Sequence, residues 1–209
     1  CVIYAVIFVM GEHRLRVSIF SIASAIIFLS FILSDAYGFN DAANGNWNDG
    51  ATWGNASPGV EGTDYPGSGD DVTIDSGTVT LTADAACNNI TVAGGGTLSA
   101  GSNTLTISGN FDESAGNFSY GTSTVNLTGT GTLNTGGGTD FYNLTMAAAG
   151  QTTTLSASTY LENVLTLGSG TLSGGAWNII LYASSGTPLV NNGATVSLGT
   201  LLYQPSVAS

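Results

Sequence analysis

The feature that most constrains the fold is a short apolar dyad, two large apolar residues separated by one other residue, that returns after Asp70 between Gly-rich breaks. The dyads are Val72/Ile74, Ile90/Val92, Leu105/Ile107, Val125/Leu127, Leu144/Met146, Leu165/Leu167, Ile179/Leu181 and Val196/Leu198. Side chains alternate along a strand, so both members of a dyad face one side and the residue between them faces the other. No stretch after residue 37 has the spacing of an amphipathic helix, and the pattern therefore predicts an all-β chain.

Two all-β architectures fit this pattern. In a parallel β-solenoid each turn is too thin to bury its own dyad and must stack on its neighbours. In a β-sandwich, short strands alternate with turns about every 8–12 residues. Successive dyads here lie 14 to 21 residues apart, and further short strands such as 78–81 fill the intervals. This spacing favours a right-handed parallel β-helix over residues 70–209, with two or three strands per turn; the β-sandwich is the alternative.

Residues 1–36 have the pattern of an export signal. Arg14 and Arg16 precede an uncharged apolar stretch, 17–33, and Ser34-Asp35-Ala36 supplies small residues at a cleavage point. This arrangement is typical of a secretory signal helix cut after Ala36, and an uncleaved signal anchor is the alternative. Residues 1–9 precede Met10 and fit the pattern poorly, so we interpret them as upstream sequence that is not native to the protein.

The charge distribution excludes several functional classes. The chain has 14 Asp and Glu against 2 Lys and Arg, a formal net charge of -12, and no Lys, Arg or His follows Tyr37. Nucleic-acid binding needs cations that neutralise phosphates. Ser-His-Asp, Cys-His and P-loop chemistry need an imidazole or a lysine. We therefore expect a protein that is not an enzyme and does not bind nucleic acid, in which Cys87 is a small buried side chain.

Residues 37–69 differ from the repeats because Trp, Gly and Pro are concentrated there. Trp47 and Trp53 lie six residues apart, and Tyr65 precedes a Pro-Gly turn. Two large aromatic side chains can cover the open first turn of a solenoid, which needs a cap. The alternative is that Trp47, Trp53 and Tyr65 form an aromatic platform on which sugar rings stack. We expect the cap.

The densest acidic cluster is Asp70, Asp71 and Asp75 at the first dyad. Hard cations take carboxylate and carbonyl oxygens, so calcium is the one cofactor that the sequence suggests. A pair of carboxylates for glycoside cleavage is a further reading. The simplest interpretation is a turn followed by a strand whose alternate side chains point in opposite directions. Asp112-Glu113 is expected to be a solvated loop.

Two sets of motifs resemble known extracellular families. The first resembles the opening of the eight-glycine domain and comprises Trp47-Asn-Asp-Gly-Ala-Thr-Trp53, Pro66-Gly-Ser-Gly-Asp-Asp-Val-Thr-Ile74, Ser76-Gly-Thr-Val-Thr-Leu81 and Asn89-Ile-Thr-Val92. The second is similar to repeats of long bacterial surface proteins with adhesin-like β-helices and comprises Asn103-Thr-Leu-Thr-Ile-Ser-Gly-Asn-Phe111 and Phe141-Tyr-Asn-Leu-Thr145. The resemblance implies a right-handed parallel β-helix and a role outside the cell, and it brings no catalytic residues.

The sequence thus predicts a secreted or cell-surface bacterial β-helix with a structural or adhesive role, as a segment of a longer protein. The expected partners are extracellular polysaccharide or other surface proteins, with membrane contact only through the signal segment before cleavage. A carbohydrate-binding module using Trp47, Trp53 and Tyr65 is the first alternative. A polysaccharide-degrading β-helix enzyme using Asp70 and Asp71 is the second.

Overall fold

A computed structural model describes residues 38–136, 140–183 and 186–204, so the expected signal segment lies outside the described residues. One short 3₁₀ helix, Gly50–Trp53, is present, and no helix of the described ranges is long and apolar enough to span a membrane. The strands, in chain order, are β1 Gly38–Asn40, β2 Gly45–Asn46, β3 Asp71–Ile74, β4 Thr78–Thr80, β5 Ala85–Cys87, β6 Ile90–Val92, β7 Thr97–Ser99, β8 Thr104–Ile107, β9 Phe111–Asp112, β10 Asn117–Ser119, β11 Thr124–Leu127, β12 Gly131–Asn134, β13 Asp140–Met146, β14 Thr152–Leu155, β15 Thr159–Leu167, β16 Thr171–Ser173, β17 Asn178–Leu181, β18 Leu189–Asn191, β19 Thr195–Ser197 and β20 Thr200–Tyr203.

The strands form three parallel sheets that the chain visits in rotation. Sheet 1 has the order β1-β3-β6-β9-β12-β14-β16-β19, sheet 2 the order β10-β7-β4-β2, and sheet 3 the order β20-β17-β15-β13-β11-β8-β5. β18 pairs in parallel with residues 165–167 of β15. Each strand pairs in parallel with strands of neighbouring turns, on both sides within a sheet and on one side at its ends, and none pairs with its chain neighbour, which is the topology of a β-solenoid. The predicted fold is confirmed, and the parallel pairing excludes the β-sandwich.

Inward-facing residues stack in rows that run along the solenoid axis. In sheet 1 one row is Phe39, Val72, Ile90, Phe111, Leu133 and Leu155. In sheet 3 one row is Ala85, Leu105, Val125, Leu144, Leu165 and Leu189. All of these side chains except Ala85 and Leu189, which stand at the ends of their row, are buried. Each turn therefore supplies the cover that hides the dyads of the turns beside it.

The eight dyads do not lie in one sheet. Val72/Ile74 and Ile90/Val92 lie in sheet 1, one turn apart, whereas Leu105/Ile107 lies in sheet 3 of the same turn as Ile90. In sheet 2, β4, β7 and β10 each bury a single apolar residue, which is Val79, Leu98 and Phe118 respectively. The repeating unit is accordingly one turn of two or three strands and not one dyad.

The cross-section changes after β10, where sheet 2 ends. In β13 and β15 the second and third strands of a turn merge into one long strand, with a shift of register between Phe141 and Asn143. The ring of Phe141 lies 5.6 Å from that of Phe118 on β10, and both rings contact Phe111. Aromatic side chains from three faces thus fill the core at the point where sheet 2 stops.

Candidate functional site

The cap, residues 37–69, contains the short helix Gly50–Trp53, whose position is fixed by local hydrogen bonds. The Asp49 side chain accepts a hydrogen bond from the Ala51 amide at 3.0 Å, which satisfies a free donor at the helix start. The helix ends at Gly54, whose φ of +75° is a left-handed conformation that glycine adopts without strain. This single turn directs Trp53 toward the first turn of the solenoid.

Trp47 and Trp53 are packed against each other and are not displayed on the surface. Their rings meet edge to face at 5.5 Å, and Trp53 also contacts Phe39, the first residue of the sheet 1 row, at 6.0 Å. The Trp53 indole N–H donates to the Trp47 carbonyl at 2.8 Å, and the Trp47 indole N–H donates to the Pro66 carbonyl at 3.3 Å. Only 3% of Trp47 and 6% of Trp53 are exposed. The two indoles cover the end of the core with their polar atoms satisfied.

A groove of about 370 Å³ lies between this cap and β5, the first strand of sheet 3. The side chains that matter for its chemistry are Trp47, Asn48, Glu61, Tyr65, Asp84 and Thr106. Two of the three predicted aromatic ligands therefore share one groove, and Trp53 is not among its lining residues. Asp84 accepts a hydrogen bond from the Thr104 amide at 2.7 Å, which holds its carboxylate in place. The groove offers aromatic surface and anionic hydrogen-bond acceptors.

The three predicted calcium ligands are engaged separately. Asp70 is buried and accepts a hydrogen bond from the Gly67 amide at 2.8 Å. Asp71 Oδ1 accepts from the Asn88 side chain at 2.9 Å and from the Asn89 side chain at 2.7 Å. Asp75 is exposed beyond the end of β3. No group of three His, Cys, Asp or Glu side chains that could hold a metal occurs within the described ranges.

Asp41 is a structural carboxylate that the sequence did not single out. It is buried, and its two oxygens accept hydrogen bonds from the Asp75 amide at 2.7 Å and from the Ser76 hydroxyl at 3.0 Å. It therefore ties the chain after β1 to the turn that follows β3. Neither its neighbours nor its spacing in the sequence distinguishes it from the other acids.

Glu113 is a second buried carboxylate, and the expectation that it lies in a solvated loop is wrong. Continuing the period of two from Phe111 turns its side chain into the core, where only 7% of it is exposed. Oε2 has no hydrogen-bond partner. Burial raises the pKa of Glu113 to about 7. The hydrogen bond from the Phe118 amide acts against this rise in pKa, and the negative charge of Asp112 adds to it. The alternation starting at Phe111 was the signal that could have identified it.

Cys87 is buried in the inward row that continues to Ile107, as predicted for a small apolar side chain. Burial, and then the charges of Asp71 and Asp70, raise the pKa of its thiol far above its ordinary value. The thiol is therefore protonated at neutral pH and is a poor nucleophile.

No family model, no curated protein and no solved structure matches the chain. The resemblance to the eight-glycine domain and to adhesin-like repeats accordingly stays a prediction.

Proposed function

We propose that the protein is an exported structural or adhesive scaffold, in which a β-solenoid presents an acidic and polar surface outside the cell. The observation that carries this proposal is the continuous stack of buried rows, which makes one long element from turns that could not fold singly. The surface supports it as well, because no cationic side chain follows Tyr37 and the chain carries a net charge of -12. Like charge keeps such elements apart and soluble.

Polar side chains of sheet 1 form hydrogen bonds that link one turn to the next. The Asn89 amide donates to Asp71 at 2.7 Å, the Asn110 backbone amide donates to Asn89 Oδ1 at 2.8 Å, and the Thr132 amide donates to Asn110 Oδ1 at 2.8 Å. Each of these bonds joins successive turns. Asn89-Ile-Thr91 has the Asn-x-Thr pattern of a glycosylation acceptor, and these bonds give its asparagine a structural role independent of glycosylation.

Export is tested by expressing the chain in a bacterial host and measuring the mass of the product outside the cytoplasm. The proposal predicts a chain that begins at Tyr37. Ile26→Arg, within the apolar stretch, is expected to keep the product inside the cell at full length, whereas the matched change Ser24→Thr is expected to leave export intact. A wild-type product retained in the cytoplasm would contradict the proposal.

Adhesion is tested with beads that carry the purified chain, by their retention on surfaces coated with acidic or neutral polysaccharide. The folded chain is expected to retain the beads. Beads that carry Trp53→Ala, which removes one of the two cap indoles, are expected to lose retention in step with the fraction of the chain that circular dichroism shows to be unfolded. Equal retention by folded and unfolded chains contradicts an adhesive role for the solenoid.

The groove beside the cap favours carbohydrate binding as a second candidate function. Tyr65 is half-buried and supplies ring surface, while Glu61 and Asp84 supply acceptors for sugar hydroxyls. Two carboxylates repel an acidic sugar, so the fitting ligand is a neutral glycan. Binding on a glycan array is expected to fall in Tyr65→Ala and to persist in Tyr142→Ala, which changes a half-buried tyrosine of β13 that does not line the groove. Equal binding by the two variants contradicts this candidate.

A further inference from the structure

The groove beside the cap is continuous with the outer face of sheet 3. Asp84, Ala86 and Thr106 line the groove, and they flank the inward-facing positions Ala85 and Leu105. Parallel pairing in register repeats these outward positions on each following turn. The result is a track two residues wide, with row A formed by Asp84, Thr104, Thr124, Asn143 and Val164 and row B formed by Ala86, Thr106, Asn126, Thr145 and Thr166.

Row B of this sheet 3 track carries hydrogen-bonding groups that the protein itself does not use. Thr106, Asn126, Thr145 and Thr166 are half-buried on the outer face, and none of these side chains has a hydrogen-bond partner within the described part of the chain. Row A is tied to itself instead, because its Asn143 side chain donates to its Thr124 hydroxyl at 3.3 Å. Row B therefore presents one free hydroxyl or amide group on each turn from β8 to β15.

Charge and position distinguish the sheet 3 track from the rest of the surface. The chain carries a net charge of -12, yet beyond Asp84 neither row contains a charged residue. A neutral surface of donors and acceptors complements a neutral ligand that is rich in hydroxyl groups. The strands β8, β11, β13 and β15 are each paired on both sides, so this face does not depend on what adjoins the ends of the sheet.

We infer that the sheet 3 track binds a linear, neutral, β-linked glycan that enters the groove at Tyr65 and runs along the solenoid axis with one sugar on each turn. The inference rests on the carbohydrate-binding candidate above and gives that candidate a ligand class and an extent. Paired strands are about 4.8 Å apart, and an extended β-linked chain advances by nearly the same distance per sugar. From β5 to β15 the track crosses five strands, a span of roughly 19 Å, and so holds five sugars.

The two parts of the site contribute differently. Tyr65 supplies the ring surface in the groove, where the first sugar is held next to Ala86. Each further sugar reaches one more side chain of row B, and the row continues from Thr166 to Val190, which forms no side-chain hydrogen bond. A coiled, α-linked chain departs from this straight track after the groove. Affinity is therefore expected to grow with the length of an extended chain and to stop growing at five sugars.

The experiment is isothermal titration calorimetry on the 209-residue chain with β-linked oligomers of glucose, of mannose and of N-acetylglucosamine, each from the dimer to the hexamer. In the series that binds, the dissociation constant is expected to fall by about three-fold with each added sugar up to the pentamer, as one further hydrogen bond provides, and to be equal for pentamer and hexamer. The α-linked glucose hexamer is expected to bind no more tightly than a β-linked dimer.

Two substitutions assign the sugars to individual turns. Thr145→Val on β13 removes a hydroxyl and keeps the β-branched shape, and it is expected to weaken the tetramer and longer oligomers by about three-fold while the dimer and trimer bind as before. Thr166→Val on β15 is expected to weaken only the pentamer and hexamer. Thr154→Val is the matched control, an exposed threonine on the outer face of sheet 1, and is expected to leave every dissociation constant unchanged.

The outcomes separate this inference from the candidate function on which it rests. If Tyr65→Ala weakens all oligomers but affinity in the wild type does not depend on chain length, the groove binds sugar and the track does not. The inference is likewise overturned if Thr145→Val and Thr166→Val have the same effect at every length. If none of the three series binds, or if Tyr65→Ala binds as tightly as the wild type, the groove candidate fails and the inference fails with it.

Discussion

Neutralising one buried carboxyl group, by Glu113→Gln, is expected to remove a large part of the pH dependence of stability. Glu113 faces the core one position beyond β9, its Oε2 has no hydrogen-bond partner, and its other contact of note is the hydrogen bond from the Phe118 amide. Glutamine has nearly the same shape and can accept the same bond. The substitution therefore changes the charge and leaves the packing in place.

The magnitude follows from the pKa. Glu113 titrates near 4.5 in the unfolded chain, and burial raises its pKa to about 7 in the folded protein. Because the pKa of Glu113 is higher in the folded than in the unfolded state, the folded protein binds this proton more tightly. The contribution of Glu113 to the free energy of unfolding is therefore most favourable below pH 4.5, falls between pH 4.5 and 7, and is constant above pH 7. Over the roughly 2.5 pH units between the two pKa values, about 1.4 kcal/mol per unit gives a loss of about 3.5 kcal/mol, which screening by solvent reduces to about 2 kcal/mol.

The assay is urea unfolding, followed by tryptophan fluorescence, between pH 4 and pH 8. We expect the wild type and Glu113→Gln to be equally stable at pH 4 and the variant to be more stable by about 2 kcal/mol at pH 7.5. Glu162→Gln, which removes a half-buried carboxyl on β15, controls for the loss of one negative charge from an acidic chain. If the free-energy difference between wild type and Glu113→Gln does not change across this pH range, the reasoning is wrong.

Three further predictions follow from the fold. Gly121→Ala is expected to destabilise the fold by about 3 kcal/mol, because Gly121 has a φ of +57° and a Cβ there would lie 2.3 Å from a carbonyl oxygen of the previous turn. Gly175→Ala is the control, at a φ of +55° with no atom within 4 Å of the added Cβ, and is expected to cost about 1 kcal/mol. Chemical denaturation of both variants measures the difference. Trp53→Ala is expected to cost about 4 kcal/mol, measured by the same method, and a variant as stable as the wild type would contradict its role as a cap. Asp71→Ala is expected to cost about 2 kcal/mol through its lost hydrogen bonds, equally in calcium and in a chelator, whereas a larger loss in calcium would favour the predicted metal site.

The solenoid was predictable from the sequence because its physical cause is local. Alternation places Val72 and Ile74 on one side of a strand, and a strand that short can be buried only by neighbours of the same kind. The division of each turn among three sheets was harder to predict, because Leu98 on β7 is a single large apolar residue and forms no dyad. The long strands β13 and β15 could not be predicted, because a shift of register between paired strands has no signature in the amino-acid composition.

The candidate site was predictable only in part, because the burial of a side chain in a solenoid depends on the turns stacked beside it and not on its residue type alone. Leu172 and Val196 occupy the same row, and what separates a buried side chain from an exposed one is the turn that covers it. Glu113 was misjudged for the same reason. A charged side chain suggests a solvated loop, but Glu113 is two residues from the inward-facing Phe111 and therefore faces the core. Trp53 shows the converse, since among the described strands none lies beyond β1 in sheet 1 and an aromatic side chain covers that end of the row.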